Sequence, residues 1–597
     1  MQIKSTRLVS VNLPANLPAV QTDIQNIETF ARPPLSGTVE ARPHTAVYKM
    51  HKYFARRPWN VFSQLVSHYS ALGDITLDPF CGGGTTVIES LKLRRKAIGV
   101  DVNPLATYVT EMECRPIDLE LLEKAFSQVG NTAKQKILPL YSTSCRHCGS
   151  KVIADWIEWD EKNCQMVRVK YRCLRCGVTQ KTPDRMDINL SKQIATSLAT
   201  RVRNSNLWFP KTKIPRGDKT DSLLKHNIAY FHELFTKRNL LALSILLKAI
   251  EGLADGDAKE FLKFAFSGSL KWASRQSHLR GRIVEGWALH AYWIYHRSLE
   301  MNVWNIFERR ALAVLRGKKY SSRHIGTSCK LATDFNDLAN GNANCMILNE
   351  SSTSLPVPDE SIDCIITDPP YGSNINYAEL SDFWYVWVSK GKTTEKRQEV
   401  IINKTQGKTL ANYEALLHAV FKECYRVLKP HSFLVCTFNS KDMRVVASFI
   451  VAASRAGFLL HPEGLLYQNP IRAYTTTLHA MQIGAFVGDF IFTFVKEKTP
   501  QQKSIQAVGE LRDLEGSLSD LIAETAKGGL TEPQLRERAY RILIPFLGKY
   551  ARNSISTCRE AVSFFEGKMR EHETYFRSMR ERITTARRQK FRKQQRA

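Results

Sequence analysis

Two blocks in which a short apolar run is followed by a turn and an amphipathic stretch constrain this chain more than any other feature. In the first, ITLDPF (75 to 80) reads as a strand, GTTVIESLKL (84 to 93) as a helix and AIGVDV (97 to 102) as a second strand. That is one βαβ unit of a parallel sheet with crossover helices. The alternation then stops and resumes only at CMILN (345 to 349) and SIDCIIT (361 to 367). Helical segments follow around Ala378 to Val388 and Tyr413 to Leu428, then a strand FLVCTF (433 to 438), a helix from Asp442 to Ala456, and strands near Leu459 to Tyr467 and Phe490 to Val495. A doubly wound sheet does not tolerate so long a crossover unless the crossover folds separately. The expected division is therefore an extended arm (1–45), a first part of an α/β domain (46–111), an insertion (112–340), the second part of the domain (341–497) and a basic helical extension (498–597).

Charge limits the partners. The 597 residues carry 85 Lys and Arg against 57 Asp and Glu, a net +28, which favours a polyanion such as nucleic acid. The last turns, Arg577 to Arg596, hold Glu581 as their sole acid and suit either phosphate contact or a solvated helix. Met1 to Val20 mixes Lys4, Arg7, Asn12 and two prolines into its apolar residues, and the apolar run Leu240 to Ile250 is broken by Lys248. Neither reads as a signal peptide or a membrane span, so a soluble cytoplasmic protein without a membrane partner is expected. The 13 cysteines then read as thiols and metal ligands rather than disulfides.

The segment LDPFCGGGTT (77 to 86) joins strand to helix at the carboxyl edge of the sheet, where open α/β folds bind ligands. Gly82 and Gly84 permit backbone conformations closed to other residues. Asp78 is placed to take the amino group of a methionine moiety, and Asp101, ending the second strand, to accept ribose hydroxyls. A dinucleotide fingerprint G-x-G-x-x-G would need a third glycine where Val87 stands, so an adenosine-type cofactor is preferred.

The sequence TDPPYG (367 to 372) follows the apolar strand CIIT and reaches the same edge. An aromatic amino group attacks a sulfonium methyl poorly, because its lone pair is delocalised into the ring. Holding its hydrogens on two acceptors counters this. The Asp368 carboxylate and the Pro369 carbonyl can supply them, with Pro370 fixing the turn and Tyr371 offering a face for an extruded base. Together the two motifs resemble the amino-methyltransferase branch of the class I methyltransferases, whose signature is (D/N/S)-P-P-(Y/F/W). HKYFARRPWNVF (51 to 62) resembles that family's motif ahead of the cofactor strand, with His51, Arg57 and Pro58 matching. The order of segments resembles the alpha group, whose insertion carries target recognition. The nearest likeness is to zinc-ribbon-containing adenine-specific DNA methylases.

The resemblance implies a Rossmann-like class I sheet, S-adenosylmethionine as cofactor, and site-specific adenine-N6 methylation of double-stranded DNA in restriction-modification or phage defence, where other subunits of such a system are compatible partners. The implied cofactor contacts are His51, Arg57, Pro58, Asp78, Pro79, Phe80, Gly82, Gly84, Thr85, Asp101, Asn103 and Ser351. The implied catalytic set is Asp368, Pro369, Pro370 and Tyr371. Where the family often places an Asp facing the adenine ring, this chain has Asn349, Glu350 and Ser351.

CRHCG (145 to 149) and CLRCG (173 to 177) form two CxxC pairs, each followed by Gly. Cys145, Cys148, Cys173 and Cys176 make a tetrahedral four-cysteine zinc site with no open position, hence structural, in a ribbon over residues 141–180. Arg146, Lys151, Arg168, Lys170, Arg172 and Arg175 give that ribbon the charge to meet phosphate, as does SLKWASRQSHLRGR (269 to 282), which reads equally as a solvated basic helix. A ring-carbon cytosine methyltransferase is excluded, since no Pro-Cys dipeptide occurs. Cytosine-N4 methylation, guanine-N2 methylation of transfer RNA and an inactive nucleic-acid-binding subunit remain as alternatives.

Overall fold

The computed structural model describes residues 32–287, 291–326, 329–469, 488–497, 507–526 and 532–570. Met1–Pro33 forms a unit of its own, nearly all of it outside the described residues, and the account below concerns Pro34–Ala597. Among the described residues, seven strands make the central sheet: β1 (Ile75–Asp78), β2 (Lys96–Val100), β3 (Cys345–Leu348), β4 (Ile362–Thr367), β5 (Leu428–Phe438), β6 (Phe458–Gln468) and β7 (Asp489–Lys496). Their order is β3-β2-β1-β4-β5-β7-β6. The pairings from β3 across to β5 are parallel, and β7 runs antiparallel to both β5 and β6. This is a mixed α/β architecture with a parallel-rich sheet, consistent with a methyltransferase fold. The order reverses between β1 and β4, and their carboxyl ends flank the crevice that such a switch opens.

Side chains alternate across the sheet, so it has two cores. Ala97 and Cys345 join one core, Ile98 and Met346 the other. Helices follow in chain order: α1 (Trp59–Tyr69) before β1, α2 (Thr85–Lys92) between β1 and β2, α3 (Pro104–Cys114) after β2, α4 (Asp257–Ala273) and α5 (Val303–His324) in the long crossover, α6 (Tyr377–Val388) after β4, α7 (Met443–Arg455) after β5, and α8 (Ala507–Ala526) and α9 (Glu532–Tyr550) beyond β7. Residues 35–43 lie extended along α1, where the Arg42 amide donates to Asn60 Oδ1 at 2.9 Å and the Leu35 amide to the Tyr69 hydroxyl at 2.9 Å. The first 31 residues of the expected arm lie outside the described residues.

Between β2 and β3 the chain builds strands Ser142–Ser144, Lys151–Asp160, Gln165–Cys173 and Gly177–Lys181, then helices. The ribbon is not self-contained. Arg297–Met301, more than a hundred residues on in sequence, pairs antiparallel with Lys151–Asp160, and Asn302 Nδ2 donates to the Ala154 carbonyl at 3.0 Å. SLKWASRQSHLRGR is likewise not a solvated helix. Its helix ends at Ala273, Ser274, Gln276 and Ser277 are buried, and the remainder pairs as a short hairpin, His278–Arg280 with Ile283–Glu285.

α6 is apolar nearly all round, which a helix tolerates only when enclosed on every side. Trp384 and Trp387 are buried, Trp287 stacks on Trp384 at 5.1 Å, and the Tyr292 hydroxyl donates to the Glu379 carbonyl at 2.9 Å. The crossover thus packs directly on the helix that follows β4. On the other face, Leu518, Leu535, Leu543, Ile544 and Leu547 of α8 and α9 extend the core. This part of the extension is packed rather than a solvated tail; the basic run 577–597 lies outside the described residues. No helix among the described residues is long and apolar enough to cross a membrane.

The α2 crossover needs a close approach that Val87 cannot provide from its own side. The neighbouring strand provides it: a Cβ on Gly99 in β2 would lie 2.8 Å from Val87 Cγ2 and 3.1 Å from Cys81 Cβ. Gly99→Ala is therefore expected to destabilise the protein by roughly 1–3 kcal/mol, read as a lowered midpoint of thermal or urea unfolding.

Candidate functional site

The carboxyl ends of β1, β2 and β4 open into a cleft lined by Asp78, Asp101 and Asp368. At the end of β1, Asp78 is 4% exposed. Its Oδ1 accepts from the Thr367 hydroxyl at 2.6 Å, across the switch point, and from the Phe80 amide at 3.1 Å. Burial pushes its carboxyl up to about 7, partly opposed by these bonds. At the end of β2, Asp101 accepts from the Asn103 amide (2.8 Å) and the Gly82 amide (2.9 Å), and burial pushes it up to about 6. Burial thus opposes the charged form of both carboxyls, and both line the cleft.

The glycine turn bends through Gly82 (φ 47°) and Gly84 (φ 73°). The two have different tasks. A Cβ on Gly82 would meet the Tyr53 ring at 3.1 Å, in the cleft, whereas one on Gly84 would meet Thr110 of α3 at 2.7 Å, away from it. Arg56 clamps the turn: Nη1 donates to the Gly83 carbonyl (2.7 Å) and to Glu113 Oε2 (2.6 Å), and Nη2 to Glu113 Oε1 (2.9 Å). Asn103 caps α3 through the Leu105 amide and donates to the Ser381 hydroxyl at 2.8 Å.

At the end of β4 the Asp368 carboxylate is saturated with donors. Oδ2 accepts from Arg57 Nε at 2.6 Å, and Oδ1 from the Thr437 hydroxyl (2.6 Å) and the Tyr371 hydroxyl (2.5 Å). Arg57 Nη1 also donates to Asp489 Oδ2 at 2.7 Å, and its Nη2 to the Tyr371 hydroxyl. The Tyr371 ring packs on Phe438 at 4.8 Å with the Arg57 guanidinium 4.9 Å from its centroid. The Tyr413 hydroxyl donates to the Pro370 carbonyl at 2.6 Å, so that carbonyl is used within the protein.

Of the residues expected at the site, Arg57, Asp78, Pro79, Phe80, Gly82, Thr85, Asp101, Asn103, Ser351, Asp368 and Pro370 line the cleft; His51, Pro58, Gly84, Pro369 and Tyr371 do not. His51 sits instead between α4 and α6, stacked on Phe264 at 5.1 Å, edge-on to Trp384 at 5.8 Å and with Nε2 3.0 Å from the Ser267 hydroxyl, and burial lowers it to about 3. Pro58 is the N-cap of α1, where its fixed φ suits the helix start. Asn349 Nδ2 donates to the Asp101 carbonyl at 2.9 Å, and the Ser352 hydroxyl to the Pro79 carbonyl at 2.6 Å. Sequence reasoning missed Tyr53, Arg56, Tyr377, Glu399 and Asp489. The first two lie inside HKYFARRPWNVF and share its signal. Asp489 and Glu399 stand in no motif.

The four cysteines of the ribbon bring their Sγ atoms within 4.8 Å of one another, with Cys148 and Cys173 3.7 Å apart. The tetrahedral edge for zinc at a Zn–S distance of about 2.3 Å is about 3.8 Å, so the cluster is compatible with zinc. Gly149 (φ 69°) and Gly177 (φ 77°) close the two knuckles. Among the expected phosphate contacts, Arg146, Lys151, Arg172 and Arg175 are exposed, while Arg168 is paired with Glu158 at 2.8 Å.

Residues 23–111 and 362–510 match the family model of N6/N4 DNA methylases. The chain is similar to that family over the segments that carry β1, β2 and β4 to β7. The Type II methyltransferase M.MjaII of Methanocaldococcus jannaschii is 21% identical over 343 residues, 56% of this chain and 58% of the relative. The chain thus matches a little over half the length of that relative.

The Asp78 titration has a consequence for stability. Its folded value, about 7, lies above its ordinary 3.8, so the associated stability is present below the ordinary value and is lost as pH rises to 7. Asp78→Asn keeps an acceptor for Thr367 and Phe80 and carries no charge. It is expected to raise the thermal midpoint relative to wild type at pH 8, with the difference vanishing toward pH 4.

Proposed function

We propose that this protein transfers the methyl group of S-adenosylmethionine to the exocyclic amino group of adenine in DNA. The observation that carries this reading is that Asp78, Asp101 and Asp368 open into one cleft, so that two anchors for a nucleoside cofactor and an acceptor for an amine share a single space. The family similarity points the same way. The donor set fits the cofactor. Asp78 receives neutral donors, the Thr367 and Thr86 hydroxyls and the Phe80 amide, and its burial asks for the cation that a methionine ammonium is. Asp101, held by two amides, keeps lone pairs for ribose hydroxyls. The cofactor when bound supplies an electrophilic sulfonium methyl.

The protein's own residues prepare the amine. Asp368, which lines the cleft, accepts one of its hydrogens, and the family resemblance assigns the other to the Pro369 carbonyl, which does not line the cleft of the free protein; together they localise the lone pair on nitrogen. To do so the amine takes the place that Arg57 Nε holds on Asp368, while Arg57 keeps Asp489 as partner. The Tyr371 ring becomes available for stacking once that guanidinium withdraws. Adenine is favoured over cytosine because cytosine-N4 enzymes more often carry Ser at the position of Asp368. The net charge of +28 and the exposed arginines at the ribbon knuckles suit double-stranded DNA as substrate. Zinc in the four-cysteine cluster is structural, and a restriction-modification or defence setting accords with the relative's Type II designation.

Asp368→Ala is expected to abolish methyl transfer while leaving cofactor affinity by calorimetry within about threefold, since Asp368 faces the amine rather than the methionine end. Nucleoside mass spectrometry should show N6-methyladenine in DNA; methylguanosine from transfer RNA with unmodified DNA would overturn the reading. Metal analysis of protein purified without chelator should find one zinc per chain, and Cys173→Ser should make residues 141–181 susceptible to proteolysis before the sheet domain.

A further inference from the structure

The segment between α6 and residue 410 returns across the catalytic loop. The Ile402 amide donates to the Gly372 carbonyl at 3.2 Å, and the Thr394 hydroxyl to the Ala378 carbonyl at 3.0 Å. Glu399, between these ties, is 4% exposed and lines the cleft together with Asp368 and Tyr377. Its Oε1 accepts from the Ala378 amide at 2.9 Å. Its Oε2 is buried with no hydrogen-bond partner. The charged and titratable groups around it do not supply one. Lys408 Nζ is spent on the Lys396 and Glu399 carbonyls, and Lys396 Nζ on Asp382 and the Thr394 carbonyl. Glu379 accepts from Asn403 Nδ2 at 2.7 Å and the Lys219 amide at 2.8 Å, and Tyr377 and Glu395 complete the surroundings. A buried polar atom left unpaired in a well-tied segment calls for a partner from outside the chain.

We infer that Glu399 determines base specificity at this site, its Oε2 hydrogen-bonding the ring nitrogen beside the amino group of the base that enters the cleft. The inference rests on the amino-methyltransfer reading above. With the two amine hydrogens on Asp368 and Pro369, the next position along the base edge is that ring nitrogen. On the Watson–Crick edge it is an acceptor in adenine (N1) and cytosine (N3) and an N–H donor in guanine (N1). Burial pushes the Glu399 carboxyl up to about 7, the nearby Glu379 adding to this and Lys408 and Lys396 opposing it. A protonated carboxyl near neutrality donates to the acceptor edge and leaves guanine's N–H facing another hydrogen. The proton stays on Glu399 throughout; only a hydrogen bond forms.

The test uses the full-length protein, labelled cofactor at saturation so that Asp78 is out of play, and PCR-amplified genomic DNA, which carries no methylated bases. Glu399→Ala should lower kcat/KM for DNA about 10- to 100-fold, with cofactor affinity by calorimetry within twofold of wild type. Wild-type activity should decline above pH 7, and Glu399→Gln, a donor at every pH, should recover most of the Ala variant's loss and abolish that decline. A Gln variant whose pH profile parallels wild type, an Ala variant within twofold of wild type on DNA, or a loss of cofactor affinity as large as the loss on DNA would each overturn the inference. Should the Ala variant not fold, the Gln profile decides alone. If wild type neither binds the cofactor nor methylates this DNA, the proposed function itself fails; an active wild type with a parallel Gln profile defeats only the role of Glu399.

Discussion

The site depends on one guanidinium. Arg57 stands between Asp368 and Asp489, bonding both at 2.6–2.7 Å, and so joins a segment ahead of β1, the end of β4 and the start of β7. Two carboxylates this close repel unless a cation lies between them, and each is largely withdrawn from water. Removing Arg57 would leave two partly buried like charges with no cation between them. The same arrangement gives Asp368 its resting state. Both oxygens of Asp368 already accept from the protein, Oδ2 from Arg57, which has Asp489 as a second partner, and Oδ1 from Thr437 and Tyr371.

What was legible in the sequence was local. A strand, a turn with two glycines and a helix declare themselves within about 25 residues because periodicity and φ preferences act over that range. Asp78, Asp101 and Asp368 were legible for the same reason, as each ends a strand and strand ends converge on one edge. Contacts of high sequence separation were not. Nothing near Asp489 indicates that it meets a residue 432 positions earlier, nor does anything near Glu399 indicate that its carboxyl is left half satisfied. His51 shows the opposite failure. It sits in a motif whose neighbours line the cleft, but the chain turns after it, and the aromatic wall of Phe264 and Trp384 claims the ring.

The ribbon and its helices were legible as a separate stretch of sequence, but not in how they are fastened. The strand that completes the ribbon arrives from Arg297–Met301, and the helix that anchors the crossover to the loop after β4 is α6, which follows that loop in the chain. Because α6 begins five residues after Gly372 and is enclosed by Trp287, Tyr292 and Phe235, a displacement of the crossover is carried to the loop by packed side chains rather than by a flexible linker. Packed interiors transmit such displacements because they do not compress.

The cleft also concentrates carboxyls whose folded environment opposes their charge: Asp78 and Glu399 near 7 and Asp101 near 6. Each lowers the stability of the folded chain as pH rises toward neutrality, since the unfolded chain releases these protons earlier. A core built for stability alone would hold apolar residues there. On the proposed reading, ligands restore what burial removes, an ammonium at Asp78, hydroxyls at Asp101 and a base edge at Glu399. Binding energy is then drawn from groups already held in place and poorly satisfied, so that association costs little further ordering of the protein. Stability withheld from the free protein in this way reappears as affinity for whatever completes the cleft.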